Sequence, residues 1–255
     1  MWREKLPKLE SFSDLVSWIR LSIFSRLSLS PPLNNCTNVD TKACATRLET
    51  INLKRTVKSR FGNIAVHEIA AFRRSQLLDD ACIMLVLSNM VDRDRVAYPR
   101  VGIGAVNPLF MTMADDEVKR DVIEHSLPFQ TENKVVPIPI HLEAHWAGVV
   151  FNYNDNKLVY FDPMQSKANY DSMEASTSAK IKCGFVIIRQ RAPRQQDTTS
   201  CGPLTLLFFD CMVVGILVSN VQPESIPYLR FRFLYLSCQN IFCDGTESNT
   251  EIDVV

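Results

Sequence analysis

The run Leu204 to Val218 is apolar on nearly every side, and it constrains this chain more than any other stretch. A helix with no polar face has to be buried, so this segment belongs at the centre of its domain. Directly before it lies a polar loop, Gln195-Gln196-Asp197-Thr198-Thr199-Ser200-Cys201-Gly202-Pro203, with the cysteine at the join. A thiol there occupies the first turn of a buried helix, where free backbone N–H groups and the helix dipole favour negative charge. That setting lowers a thiol pKa towards a working thiolate. The same position also suits a small buried hydrophobe, because free cysteine is among the most buried residue types. Catalysis then requires that the chain also supply a general base, a group to orient it and donors for an oxyanion.

A chain of 255 residues holds one good-sized core, with room for an accessory segment. With 46% hydrophobic and 22% charged residues, it reads as an ordinary globular protein. Lysine plus arginine equal aspartate plus glutamate at 28 each, so no overall field draws the chain to nucleic acid or an anionic membrane. The cysteines, at 36, 44, 82, 183, 201, 211, 238 and 243, lack the paired spacings of a zinc site and the density of a disulfide scaffold. A reducing, intracellular compartment is the expectation, with no basic cluster to choose nucleus over cytoplasm. Met1-Trp2-Arg3-Glu4-Lys5 has no apolar signal core, and Asp210 breaks the longest apolar run at a length too short to span a bilayer. Neither secretion nor a membrane span is expected.

Three parts follow along the chain. In residues 1–55, Phe12, Leu15, Val16, Ile19, Ile23, Phe24 and Leu27 recur at helical spacing, and Ser11-Phe12-Ser13-Asp14 resembles a capping box. This predicts an amphipathic helix over 11–27, stopped by Pro31-Pro32. It would serve as a partner or membrane-surface helix, as a presequence, or by docking on its own protein; Glu4, Glu10 and Asp14 argue against the presequence. Residues 31–55 read as a linker and place a domain boundary. The catalytic domain is expected over 56–241, and 242–255 as a flexible acidic tail.

Within that domain, Asn63 to Ala70 predicts a short strand, and Leu77-Leu78-Asp79-Asp80 leads into a helix through Val91 capped by an aspartate. Val101 to Met113 reads as a buried strand or loop, and Asp115 to Ser126 as an exposed helix. Val135 to Ile140, interrupted by prolines, suits an edge strand running up to His141 or His145. Trp146 to Phe151 and Lys157 to Phe161 flank the turn-rich cluster Asn152 to Asn156 and predict a hairpin. Phe185 to Arg189 is a further strand, while the pattern of Tyr228 to Ile241 leaves helix and strand both open.

A histidine base must be His67, His125, His141 or His145. If Tyr153 and Asn154 centre the hairpin, antiparallel pairing sets His145 opposite Asp162; the turn cluster equally allows a centre one residue later. A His–Asp pair beside a thiol is what a Cys-His-Asp site needs, since the carboxylate fixes the tautomer and leaves the other ring nitrogen for the thiol. Each residue would also be at home in a strand end or turn. Gln195, on the cysteine loop, can aim an amide at an oxyanion alongside the Cys201 N–H.

The segments Ala144-His145-Trp146, Tyr160-Phe161-Asp162-Pro163 and Gln195 to Gly202, in that order, resemble the ubiquitin-like-protein-specific (Ulp-type) cysteine proteases. That SUMO-protease family is related to adenovirus protease, and the resemblance covers roughly residues 60 to 240. It implies an α+β, papain-like or adenovirus-protease-like domain with a central sheet and a buried helix carrying the nucleophile at its N-terminus. By this resemblance Cys201 is the nucleophile, His145 the general base and acid, Asp162 its orienting partner and Gln195 the oxyanion donor. Trp146 would cover the Gly-Gly tail of the substrate, a ubiquitin-like protein or its conjugate, with Leu77 and Asp80 also on the binding surface. No cofactor or metal is implied. Leu77 stands where SUMO-directed members carry a second tryptophan, Asp79 replaces an asparagine, and Ser200 replaces an aspartate, so the chain is a divergent member whose substrate identity is open. Two other readings compete: a non-catalytic binding module, and a related acyltransferase using Arg189, Arg191 and Arg194 for phosphate.

Overall fold

The computed structural model describes residues 2–97, 102–178 and 184–243. In chain order the elements are α1 (Trp2–Leu21), α2 (Thr41–Thr50), β1 (Thr56–Ser59), β2 (Gly62–Ala65), α3 (Asp80–Ala97), β3 (Gly102–Ile103), α4 (Asp116–His125), β4 (Asn133–Leu142), β5 (His145–Asn152), β6 (Lys157–Phe161), α5 (Lys167–Ser178), β7 (Val186–Gln190), α6 (Cys201–Val214), α7 (Ile226–Ser237) and α8 (Gln239–Cys243). β1 and β2 form a small antiparallel pair, and the remaining strands make one mixed sheet in the order β3-β4-β5-β6-β7. The architecture is α+β, with the sheet between two layers. Among the described residues no helix is long and apolar enough to cross a membrane.

β5 is the middle strand and is buried on both faces. Trp146 and Val150 join the main core with α3, α6 and α7, while Ala147, Val149 and Phe151 join a second cluster with Tyr170 and Met173 of α5. The period of two that separates these sets is the pleat of the strand. α6 crosses β5 so closely that a Cβ on Gly148 would lie 2.6 Å from the Phe209 ring, so only glycine fits there. All α6 residues but Met212 and Val214 are buried, as an all-round apolar helix must be. Burying each of Leu206, Phe208 and Phe209 contributes roughly 2–3 kcal/mol. The helix ends at Val214 and not at 218, because Gly215 takes the left-handed conformation (φ +77) that terminates it.

Other boundaries differ from the sequence expectation for physical reasons. α1 begins near Trp2 and stops at Leu21, so Ser11 to Asp14 lie inside the helix and cap nothing. The chain leaves the helix because Phe24 is captured by the core, stacking on Phe231 at 5.1 Å and meeting Tyr228 edge-on at 5.5 Å. Phe12, Leu15, Val16 and Ile19 enter the main core, so α1 docks on its own protein. Residues 41–50, within the expected linker, form α2 because the Asp40 side chain accepts from the N–H groups of Lys42 and Ala43. The strand expected over 63–70 ends at Ala65, where Glu68 takes the Ala65 N–H at 2.9 Å and turns the chain into a 3-10 helix.

β4 is not an edge strand. β3 pairs beside it, and Val106 N–H donates to Pro137 O at 3.2 Å. In a strand the N–H and C=O of one residue point the same way, so the missing Pro137 N–H faces the short β3 side and not β5. Tyr228 to Ser237 is helical, and Phe242 and Cys243, assigned to the tail by sequence, belong to α8. The rest of that tail lies outside the described residues.

Candidate active site

The β5–β6 ladder pairs Asn152 with Lys157 and Gly148 with Phe161. The hairpin is therefore centred between Asn154 and Asp155, the later of the two centres the turn cluster allows. Moving the centre by one residue moves each partner by two, which keeps every side chain on its face. His145 and Asp162 consequently remain on one side as diagonal neighbours. β6 ends at Phe161, and Asp162 turns in to meet the ring: His145 Nε2 lies 2.6 Å from Asp162 Oδ1.

Asp162 is fully buried, and its oxygens are held from several directions. Oδ1 also accepts from Met164 N–H at 3.0 Å; Oδ2 accepts from Ser166 N–H at 2.8 Å and Asn169 Nδ2 at 3.0 Å. Burial alone would raise this carboxyl, but His145 and the three donors outweigh it and hold its pKa below the ordinary value. A charged, fixed carboxylate results.

With Nε2 engaged, Nδ1 is the ring nitrogen left for a thiol, and Cys201 and His145 interact electrostatically. Burial lowers the imidazole pKa, yet the hydrogen bonds to Asp162 and Cys201 and their charges raise it to about 9. For Cys201 burial raises the thiol, whereas the His145 hydrogen bond, the Trp146 backbone, the imidazolium charge and the Gly202 backbone lower it below its usual range. Cys201 is the first residue of α6, and the Ser200 side chain makes no capping bond, so the positive end of the helix is open to the sulfur. Both shifts act in the direction of a thiolate beside an imidazolium.

Gln195 is on the loop that the sequence indicates, tied to the turn after Asp162 by its N–H to Pro163 O at 2.8 Å. Its Nε2 donates to Asp197 O at 2.7 Å, and its Oε1 is buried without a hydrogen-bond partner among the described residues. Trp146 is buried and fixed by Nε1–H to Leu78 O at 2.7 Å, with His141 across its ring at 4.7 Å. Leu77 is exposed beside that anchor, and Asp80 opens α3 half-exposed; Asp79, one residue earlier, is the cap, accepting from Cys82 N–H at 2.9 Å. Arg189 is bound by Glu174 at 2.6 Å and Asp171 at 2.8 Å on α5.

Sequence reasoning missed Asn169, which lies in the first turn of α5, and Asp197. The Asp197 carboxylate gathers the loop, accepting from Thr199 N–H at 3.0 Å, Ser200 N–H at 2.8 Å and Ser200 Oγ at 2.5 Å. An aspartate three residues before a serine at a helix start is the visible signal for such a turn. Ser200 thus pairs with this acid.

A profile of the Ulp1 protease family, C-terminal catalytic domain, matches residues 77–240. A putative ubiquitin-like-specific protease 1B of Arabidopsis thaliana is 27% identical over 112 residues, 38% of this chain. That alignment spans about a third (32%) of the relative's length. Among solved structures, the fold is similar to the yeast Ulp1 protease domain solved in complex with Smt3, the yeast ortholog of SUMO, with TM-score 0.60 at 14% identity, covering 86% of this chain and 99% of that one. It is also similar to the Ulp1-like SUMO protease catalytic domain of Chaetomium thermophilum, with TM-score 0.58 at 14% identity, covering 91% and 98%. A matching family profile over most of the chain, on a fold that brings a histidine bonded to a buried aspartate together with a cysteine at the start of a buried helix, leads to one conclusion: this chain belongs to the Ulp1 family of cysteine proteases.

Proposed function

We propose that this chain cleaves peptide or isopeptide bonds after the C-terminal glycine of a ubiquitin-like modifier. The observation that carries the reading is the His145 ring held by buried Asp162 at 2.6 Å, with Cys201 interacting with that ring from the first turn of α6. The names of the relatives, which include SUMO proteases, supply the substrate class.

In this mechanism the Cys201 thiolate attacks the glycine carbonyl carbon, and the carbonyl electron pair moves onto oxygen. The oxyanion is met by the Cys201 N–H at the start of α6 and by Gln195, whose amide exchanges Asp197 O for the new acceptor. Collapse of the adduct breaks the C–N bond, and His145 gives its proton to the leaving amine. Water then attacks the thioester, His145 takes its proton, and Cys201 leaves as thiolate. Asp162 stays charged throughout and keeps the ring in its tautomer. Trp146, pinned to Leu78, forms a fixed wall for a narrow tail, while Leu77 and Asp80 lie on the rim for contact with the modifier body. The acyltransferase reading needs free phosphate-binding cations, and the pairing of Arg189 with two acids weighs against it.

Incubation with a panel of ubiquitin-like proteins bearing electrophilic C-termini tests the proposal. One covalent adduct is expected, lost in Cys201→Ser. No adduct with any member, from a folded chain, overturns it.

A further inference from the structure

Two buried arginines lie two residues apart on α7, and they are treated differently. Arg232 pairs with buried Asp210 at 2.8 Å and takes Asn35 Oδ1 at 2.8 Å. Arg230, only 1% exposed, forms no ion pair with a carboxylate among the described residues. Its Nη2 donates to Thr199 O at 2.8 Å, and its Nε and Nη1 have no hydrogen-bond partner among the described residues. A guanidinium buried with two donors unused is costly, and such a cost marks a role outside stability.

Its surroundings indicate that role. Arg230 interacts electrostatically with Cys82 on α3, Asp197 in the loop and Cys201 on α6. Thr199, whose carbonyl it holds, lies two residues before Cys201. Asp197 gathers the same turn through the N–H groups of Thr199 and Ser200. The nucleophile's loop is thus fixed by a carboxylate and a buried cation together. The groups that act on the Cys201 thiol are His145 on β5, with Asp162 behind it, and the backbones of Trp146 and Gly202, while Arg230 interacts with Cys201 from α7 alongside Cys82 and Asp197. Burial pushes the Arg230 pKa down to about 10, so the guanidinium keeps its charge at neutral pH.

We propose that Arg230 is a positioning residue of the thiol site: it pins the Thr199 carbonyl and provides, from beneath the loop, a buried positive charge that favours the Cys201 thiolate. This rests on the reading of Cys201 as nucleophile. A purely structural arginine would stabilise the fold. Arg230, lacking an acid partner, is expected to contribute little, because a buried charge is compensated only when paired.

The test is the rate of Cys201 alkylation by iodoacetamide against pH, read on its own peptide by mass spectrometry in the full chain, with thermal melting alongside. Arg230→Gln, which keeps an amide donor and removes the charge, is expected to melt within a few degrees of the parent. Its alkylation midpoint should move up by about one pH unit, which is about tenfold less reaction on the acid limb. Arg230→Lys should keep the parent midpoint. An unchanged midpoint in Arg230→Gln, an equal shift in both variants, or collapse of the fold in Arg230→Gln each overturns the proposal. The readout needs no modifier, so failure of the peptidase reading in the capture assay is distinguishable. An ordinary thiol midpoint in the parent chain overturns both.

Discussion

His145 and Asp162 are joined through Nε2 and Oδ1 at 2.6 Å, although the β5–β6 ladder ends one residue before Asp162. The contact is made by the turn after β6, where Met164 and Ser166 N–H groups fix the carboxylate. Asp162→Asn keeps the shape and removes the charge. It is expected to lower kcat by about 10²–10⁴-fold through the wrong tautomer, as in other triads. Asp162→Ala also strands the Met164 and Ser166 N–H groups and Asn169, so it should lose about 1–3 kcal/mol of stability as well. Turnover on a fluorogenic modifier and urea unfolding separate the two. Equal stability in both variants would show that the carboxylate cage does not support the fold.

The Cys201–His145 pair makes a prediction about pH. His145 is raised to about 9 in the folded chain, so alone it contributes stability that is present below about 6.5, its unfolded value, and is lost as pH rises through about 9. Cys201 is depressed, so its contribution is present above its unfolded value and lost as pH falls through its folded one. Between those limits the folded pair has moved one proton from sulfur to ring, and the two slopes cancel. Cys201→Ser removes one slope and leaves His145 held by Asp162. Its unfolding free energy should therefore fall, relative to the parent, as pH is raised from 6 to 9. A difference that stays constant over that range would refute the ion pair.

Gly148 lies three residues after His145, and its missing Cβ is the space into which Phe209, eight residues after Cys201, fits. Gly148→Ala forces α6 away from β5. The overpacking cost is about 1–3 kcal/mol. Because the same displacement separates the thiol from the imidazole, catalysis should fall further than the loss of folded protein explains. Activity per folded molecule measures this, and full specific activity would show that α6 does not set the Cys201–His145 distance.

How far the sequence is legible follows from what each residue's signal is local to. α6 is read from composition alone, since no polar face remains to expose. The hairpin is read to within one residue, because Asn154 and Asp155 are equally good turn residues, and the pleat preserves the His145–Asp162 side under either choice. α7 is not legible: Leu229, Phe231 and Phe233 alternate as a strand does, and its two arginines, normally the mark of a solvent face, are buried. The Asp162 cage leaves no trace either, because two of its donors are backbone N–H groups that every residue type but proline carries. Likewise α2 depends on the single cap Asp40 amid threonines and asparagines that otherwise read as loop.

The pairing of Asp210 with Arg93 at 2.7 Å and Arg232 at 2.8 Å ties the end of α3 and the middle of α7 to α6, behind the thiol. Asp210 and Arg232 are almost wholly buried, so the carboxylate is the counter-charge for a cation that water cannot reach. Asp210→Ala leaves Arg232 uncompensated and should cost about 3–5 kcal/mol. Asp210→Ala with Arg232→Met removes both charges and should recover much of that loss, since a buried pair replaced by apolar groups is often near neutral. Asp210 does not touch the His145–Asp162 contact, so the folded fraction of either variant is expected to retain its thiol reactivity. Urea unfolding of the two variants decides the matter: a double variant no more stable than Asp210→Ala would assign the loss to packing around α6 and not to the unpaired charge.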